Sequence, residues 1–489
     1  MILSGLDIGT TGCKLTSYDE KGSFVYSAYR EYDIKRESEG HEFDASLIFD
    51  AVLEVIRETA EKHPISAIGV TSFGESFVVL DENDQPLFPV MLYTDPRGDA
   101  ECKKITAALG EDTITRIAGV APHSMYSLPK IMYLKENEPT FARAKRVLLI
   151  ADYVVYMLTG KAVIDYSLAA RSMALDIRKR AWSCEILSAA GIDPSLLSTP
   201  VPTGSVAGSI KSEIAERLGV SDTLAVVIGG HDQIASALGA GALSVGDAVD
   251  GSGTVECITP VFDVIPDDKS FYEKGYCVVP FINEGSFVTY AFSFTGGAAI
   301  KWFKDNFAPE SSYAALDGAI SKSPSGILAL PHFAGAATPF MDNGATASFV
   351  GLTLAHSESD LYRALLEGVA YEMLYNLEAL SRYGICPERL FATGGGARSA
   401  AWLEIKADIL EKTLIPLDAK EVGAMGTCML VGCAIGLYKT LEEAKAVFVK
   451  QKGEIKPSAE KSALYKTYYE GYRDLYGATR PITKKIYGR

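Results

Sequence analysis

The chain has 489 residues, of which 48% are hydrophobic, 22% charged and 10% aromatic; this composition excludes a mainly disordered chain and supplies a large core without disulfide or metal staples. Its 47 basic and 62 acidic residues leave a net charge of −15, which excludes a broad nucleic-acid footprint and disfavours attraction to a membrane surface. At roughly 100–200 residues per domain, the length fits about two to four domains.

The apolar run Ile2–Leu6 ends at Asp7-Ile8-Gly9-Thr10-Thr11-Gly12, and Lys14–Tyr18 reads as a return strand, so the first element is a hairpin with a Gly/Thr turn. Ala45–Glu61 has helical periodicity, with Leu47, Ile48, Val52, Val55 and Ile56 expected on one side. Ala67–Thr71 and Phe77–Leu80 are β-like, and Asp81-Glu82-Asn83-Asp84 marks a turn. Further on, the β-rich Ala225–Ile228 enters Gly229-Gly230-His231-Asp232, followed by helix-like Gln233–Gly241. Ala248–Asp250 then leads to a second Gly/Thr turn, Gly251-Ser252-Gly253-Thr254, with Val255–Thr259 returning. Asp7 and Asp250 are 243 positions apart, an internal echo that divides the chain into lobes 1–243 and 244–489. The alternation predicts an α/β protein with mixed sheets.

No basic n-region or uninterrupted apolar stretch marks the N-terminus, and no run approaches the ~18 apolar residues of a membrane span. The eight cysteines form no CxxC pair. Free thiols in a reducing, cytoplasmic setting are therefore expected.

The chemistry concentrates in the glycine-rich turns. In Asp7–Lys14, glycines let backbone N–H groups approach an anion, Thr10 and Thr11 add hydroxyls, and Lys14 adds charge. Asp7, at a strand end, is a hard-oxygen ligand suited to Mg²⁺. An ordinary hairpin turn is the structural alternative. Gly251–Thr254 offers the same groups again. Ala392-Thr393-Gly394-Gly395-Gly396-Ala397-Arg398-Ser399, before helical Ala401–Leu410, lets backbone lie against a flat ligand or its phosphates. Asp232 follows two glycines at a strand-to-helix junction. It can accept a proton from a hydroxyl attacking phosphorus, or cap the helix. There is no GxxxxGK[ST] loop, no GxGxxG after a strand and no HExxH, and the six histidines show no ligand spacing.

Taken in order, these segments resemble the FGGY carbohydrate kinases, among them xylulokinases, fuculokinases and glycerol kinases. Asp7–Lys14 is similar to the first phosphate motif. Tyr126–Asn137 is similar to the first family signature, with Tyr133 where tryptophan is usual. Gly229–Asp232 is similar to the segment with the catalytic aspartate, and Gly251–Thr254 to the second phosphate motif. Tyr362–Met373 resembles the second signature, and Thr393–Leu410 the adenosine-binding loop and helix. The resemblance implies two actin-like, ribonuclease H-like ATPase lobes around a central cleft. It implies ATP-dependent phosphorylation of a sugar or polyol, with Asp232 as general base and Asp7 organising Mg²⁺. Gly9, Thr10, Thr11, Lys14, Gly253 and Thr254 would contact the phosphates, and Gly395 and Gly396 the adenosine.

The same resemblance puts sugar recognition in the first lobe, through Thr71–Ser76 with Gly74 and Glu75, and through Tyr93–Arg97 with Asp95 and Arg97. Glu75 would accept hydrogen bonds from two sugar hydroxyls, and Asp95 and Arg97 would pair. Some segments depart from the family. The Gln-Met-His-Gly loop of D-xylulose kinases is absent. Ser252–Glu256 and Gly230–Asp232 look closer to kinases of deoxy-ketoses, which commonly carry other residues at Gly74-Glu75. Ala334–Pro339 lacks the Gly-Glu-Arg charges usual there. The sugar thus stays open. Pairwise association is common in the family, but no surface is legible as an interface. The rival expectations are a non-metabolic actin-like ATPase and a sugar-sensing pseudo-kinase.

Overall fold

The computed structural model describes residues 1–32, 40–419 and 421–488, with 35–37 as backbone only. It contains two compact units. The first comprises Met1–Gly241, Val278–Phe287 and Glu421–Val449; the second comprises Ala242–Cys277, Val288–Lys420 and Lys450–Arg489. The chain thus returns twice to the first unit after position 243, which no composition shift in the sequence announces.

The first unit is built on a six-stranded sheet. Its order is Val206–Ser209, Ala225–His231, Ala67–Ser72, Ile2–Ile8, Gly12–Asp19, Phe24–Glu31. Ile2–Ile8, Ala67–Ser72 and Ala225–His231 run parallel, while the hairpin strands are antiparallel. Ala67–Ser72 is buried at every position, as expected for a central strand covered on both faces. The helix Val422–Ala434 reaches this sheet because Gly5 and Gly69, in register with each other, carry no side chain there. A Cβ on Gly5 would lie 2.7 Å from the Ala424 carbonyl oxygen, and one on Gly69 2.5 Å from Thr427 Cγ2. The same helix meets Asp232–Ala240 through Gly426 and Gly239. A Cβ on either would stand 1.9 Å or 1.8 Å from the opposing backbone oxygen. These contacts leave no room for substitution.

Helix Ala45–Lys62 forms much as its sequence predicts, capped by Asp44, which accepts from the Ser46 N–H. Its buried stripe contains Ile48, Val52, Val55, Ile56 and Thr59. Leu47 was expected with them but is 42% exposed. It precedes Ile48 by one position, which rotates it about 100° away from the stripe.

The second unit repeats the hairpin-plus-parallel-strand plan. Asp247–Ser252 pairs antiparallel with Glu256–Phe262 and parallel with Arg389–Gly394, which pairs parallel with Thr413–Pro416. The long helices Glu358–Ser381 and Ala459–Tyr487 and helix Ala400–Leu410 contribute to its core. Tyr465, Tyr469 and Tyr472 make one buried stripe, together with Trp402, Phe303 and Leu365. The second family signature lies inside Glu358–Ser381. Its Glu367 accepts from Arg363 Nε at 2.7 Å and from Ser325 Oγ at 2.7 Å, all three buried. That signature therefore serves packing. No described helix is long and apolar enough to cross a membrane. Cys13, Cys102, Cys277 and Cys428 are buried free thiols, whereas Cys184 and Cys386 are exposed.

Candidate active site

Three parallel strands of the first unit end side by side, and their carboxyl ends carry the candidate chemistry. Ligands of open α/β sheets bind beyond such ends. Thr71 on the middle strand is in register with Asp7 on one neighbour and with Gly230 on the other. Asp232 follows directly as the first residue of its helix. The cap position is His231, so Asp232 does not act as the N-cap that its sequence context also allowed.

Asp232 Oδ1 is a buried atom without a hydrogen-bond partner. Burial and then the Asp7 charge push the Asp232 carboxyl up to about 7, with Glu75 adding a smaller push. Asp7 is itself raised to about 6 by burial, against the pull of Lys14. Two carboxylates sharing a poorly solvated space make an electrostatic deficit that a cation would relieve. The donor set is hard oxygen and of the kind that holds Mg²⁺ through one or two carboxylates plus phosphates and water. Mg²⁺ therefore fits these residues.

The first Gly/Thr turn lies beside Asp7. Gly9 N–H donates to the Gly12 carbonyl at 2.9 Å, and Tyr32 N–H to the Thr11 carbonyl at 3.1 Å. Thr11 is exposed, and Thr10 half-buried. Lys14, in register with Asp7, reaches both carboxylate oxygens of Glu421 at 3.1 Å. Glu421 was missed by sequence reasoning. It precedes the small-residue helix Val422–Ala434, whose Gly423 backs onto Asp7: a Cβ there would be 3.9 Å from Asp7 Oδ2. The Gly423-Ala424-Met425-Gly426 segment, with three small residues in four, was the available signal.

Glu75 lies in the left-handed region at φ 66°, an uncommon conformation for a residue with a side chain and one that concentrates at functional sites. It is held by Arg171, whose Nε donates to Oε1 at 2.6 Å, and by Ser127, whose Oγ donates to the Glu75 carbonyl at 2.6 Å. Arg171 in turn lies 5.1 Å from the centre of the Tyr126 ring. The first family signature therefore supports the Glu75 loop from below. Gly74 allows the close approach: a Cβ would stand 3.0 Å from Arg171 Cγ and 3.3 Å from His231 Cδ2. Arg171 was also missed, although it is the one charged residue in the run Tyr166–Leu175.

Asp95 is buried and fully committed. It accepts from Arg97 N, Nε and Nη2 at 3.0, 2.9 and 2.7 Å, and from His41 N at 2.9 Å. Arg97 also reaches Glu42 at 2.7 Å and lies 6.0 Å from the Tyr133 ring centre. Lys130 is buried against the Ser124 carbonyl; desolvation lowers its ammonium to about 8, against the pull of Asp95 and Glu75.

Gly253, Thr254, Gly395 and Gly396 lie in the second unit. Gly253 and Thr254 are exposed, and their carbonyls accept from the N–H groups of Gly297 at 2.8 Å and Ala298 at 3.1 Å, at the start of helix Gly297–Phe307. An open pocket of about 520 Å³ adjoins this turn, walled by Lys301, Trp302 and Tyr313. Gly394, at φ 82°, lets the next turn cross Ser252, and a Cβ on Gly396 would stand 2.5 Å from Ser252 Cβ. Beneath both turns Lys406 is buried. It donates to Asp250 Oδ2 at 2.9 Å, to Ser252 Oγ at 2.5 Å and to Glu256 Oε1. Asp250, the echo of Asp7, is thus an ion-pair partner. Burial holds the Glu256 carboxyl well above the usual range, against the pull of Lys406.

The sequence model for the FGGY family of carbohydrate kinases matches twice, its N-terminal domain over residues 1–239 and its C-terminal domain over residues 273–435. The chain belongs to this family. It is a carbohydrate kinase, a phosphotransferase with the actin-like ATPase fold of two lobes. The kinase is 29% identical to a xylulose kinase from Lactococcus lactis, with 99% of this chain and 98% of the relative covered. It is 30% identical to a gluconokinase from Bacillus licheniformis, with coverage of 89% and 87%. Among solved structures, xylulose kinase from Rhodospirillum rubrum superposes with a TM-score of 0.89 at 26% identity, covering 99% of this chain and all of that one. Gluconate kinase from Lactobacillus acidophilus shares the fold with a TM-score of 0.90 at 24% identity and 99% coverage of both chains. ATP is the co-substrate that this family membership implies. These sugar-kinase relatives do not favour the rival readings of a non-metabolic ATPase or a pseudo-kinase.

Proposed function

We propose that this kinase works in the cytoplasm and transfers the γ-phosphoryl group of ATP to a hydroxyl of a neutral sugar or polyol, with a ketose as first candidate. The observation that carries the reading is the convergence of Asp7 and Asp232 beyond the carboxyl ends of parallel strands. Asp232 is the general base. The substrate oxygen bonds to the γ-phosphorus, the bond to the β–γ bridging oxygen breaks, and the hydroxyl proton passes to Asp232. ADP leaves. A carboxyl at about 7 is matched to that task near neutral pH. Asp7 is the carboxylate that organises Mg²⁺, which, when bound, neutralises charge on the phosphates. The first turn supplies N–H and hydroxyl donors for the outer phosphates. In the second unit, Gly253 and Thr254 serve the phosphates, and Gly395 and Gly396 lie along the adenosine.

Charge balance favours a neutral substrate over a sugar acid. Arg171 is committed to Glu75, and Arg97 to Asp95 and Glu42. Lys130 is fully buried. An anionic sugar would meet Asp7, Asp232 and Glu75 with these cations, among the described residues, already paired or buried. Glu75 is the residue that accepts from sugar hydroxyls, with Arg171 holding it in place. The xylulose kinase relatives agree with a ketose. ADP release measured with a panel of ketoses, polyols and sugar acids tests the reading. Stimulation by a neutral compound is expected; stimulation by a sugar acid alone would overturn it.

A further inference from the structure

The peptide group joining Gly230 to His231, immediately before Asp232, is gripped at both of its polar ends. Thr71 Oγ1 donates to the Gly230 carbonyl at 2.6 Å. On the other side, His231 N–H donates to Ser167 Oγ at 3.0 Å. The Ser167 hydroxyl proton is itself committed, donating to Asp165 Oδ2 at 2.6 Å, so a lone pair remains for His231. Asp165 is buried and held by three further donors: Ser167 N–H at 2.9 Å, Leu168 N–H at 3.0 Å and Thr203 Oγ1 at 2.8 Å. The grip acts on an irregular point in the chain. The strand register shifts between Ile228 and Gly230, and Gly230 has φ 84°. A Cβ on Gly230 would lie 2.9 Å from Asp165 Oδ2, so only glycine lets the chain come this close.

We propose that Thr71, Ser167 and Asp165 form a clamp that aims Asp232, and that Thr71 and Ser167 are positioning residues for the phosphoryl transfer. A bulge re-aims the residue that follows it, and left alone it leaves that residue several orientations. Fixing the carbonyl and the N–H of one peptide plane removes the rotation that would swing the first helical residue. Thr71 contributes twice: its backbone registers Asp7 against Gly230, and its hydroxyl holds the Gly230 carbonyl. The clamp thereby ties the metal-organising carboxylate and the base to one strand. A misplacement of about 1 Å in such a group can cost ~10²-fold in rate.

This inference rests on Asp232 being the base, and the test separates the two. Thr71→Val, Thr71→Ser, Ser167→Ala and Asp232→Asn would be assayed with Mg²⁺-ATP and xylulose, or gluconate if that is the compound turned over. For Thr71→Val and Ser167→Ala, kcat should fall about 10–100-fold while KM for ATP changes less than about 2-fold. Thr71→Ser, which keeps the hydroxyl, should retain kcat within about 3-fold. Ser167→Ala added to Asp232→Asn should cost little more than Asp232→Asn alone, because there is no base left to aim. If Ser167→Ala does not fold, the Thr71 pair decides. Native kcat in Thr71→Val beside a crippled Asp232→Asn would overturn the clamp and leave the base standing. Near-native turnover in Asp232→Asn would overturn the base, and the clamp with it.

Discussion

Asp7 and Asp232 stand at the carboxyl ends of two parallel strands that flank a single strand, Ala67–Ser72, and the Asp7 charge raises the cost of ionising Asp232. At about 4.8 Å per strand spacing, the two outer strands run about 10 Å apart. In the proposed mechanism Asp7 holds the metal and Asp232 takes a proton.

Asp232→Asn should lower kcat by about 10²–10⁴-fold with little change in ATP affinity. The base proposed at Asp232 is active only when ionised, so kcat/KM should fall as pH drops through the region of 7 and 6 set by Asp232 and Asp7. Initial rates across pH 5–9 test this. A flat profile down to pH 5 would contradict it.

The same shift acts on stability with the opposite sign. A carboxyl raised from ~3.9 unfolded to about 7 folded stabilises fully below the unfolded value. That contribution is lost as pH rises through 7. Asp232→Asn removes the partly buried charge. Its melting temperature should exceed that of the parent at pH 8, and the gap should close by pH 5. Thermal melts at the two pH values compare them directly.

Glu75→Gln should raise KM for the sugar by about 10–100-fold, the equivalent of a lost charge-assisted hydrogen bond, while KM for ATP stays near the parent value. Arg171→Met should do the same less selectively, because it frees a buried carboxylate from its only ion pair among the described residues. Equal changes in both KM values for Glu75→Gln would argue for a structural role.

Lys406→Met leaves Asp250 and Glu256 buried without their cation. Breaking such a pair costs about 3–5 kcal/mol, so the midpoint of urea unfolding should drop. Replacing Asp250 and Glu256 with Asn and Gln as well should recover part of the loss.

Gly426→Ala places a methyl group 1.9 Å from the Ala235 carbonyl oxygen, far inside van der Waals contact. The two helices must separate, and Asp232–Ala240 carries the proposed base. Low soluble yield or a melting temperature several degrees lower is expected, whereas Gly477→Ala, with open space around it, should behave as the parent.

The local elements were legible because they depend on near neighbours in the chain. The hairpin at Asp7–Lys14, the helix from Ala45 and the junction at Asp232 follow from periodicity, glycine and strand propensity. So do the residue types that can take a proton or cradle a phosphate. Tertiary structure alone decided what each charge is bound to. Arg171 reaches Glu75 across 96 positions and Glu421 reaches Lys14 across 407, and no local pattern encodes contacts at such separations. It also decided that Asp232 begins the helix without capping it, and that Asp250 is neutralised by Lys406 while its counterpart Asp7 remains available. The reason is desolvation: a carboxylate's role depends on how much water and which partners the fold leaves it, and those come from distant segments.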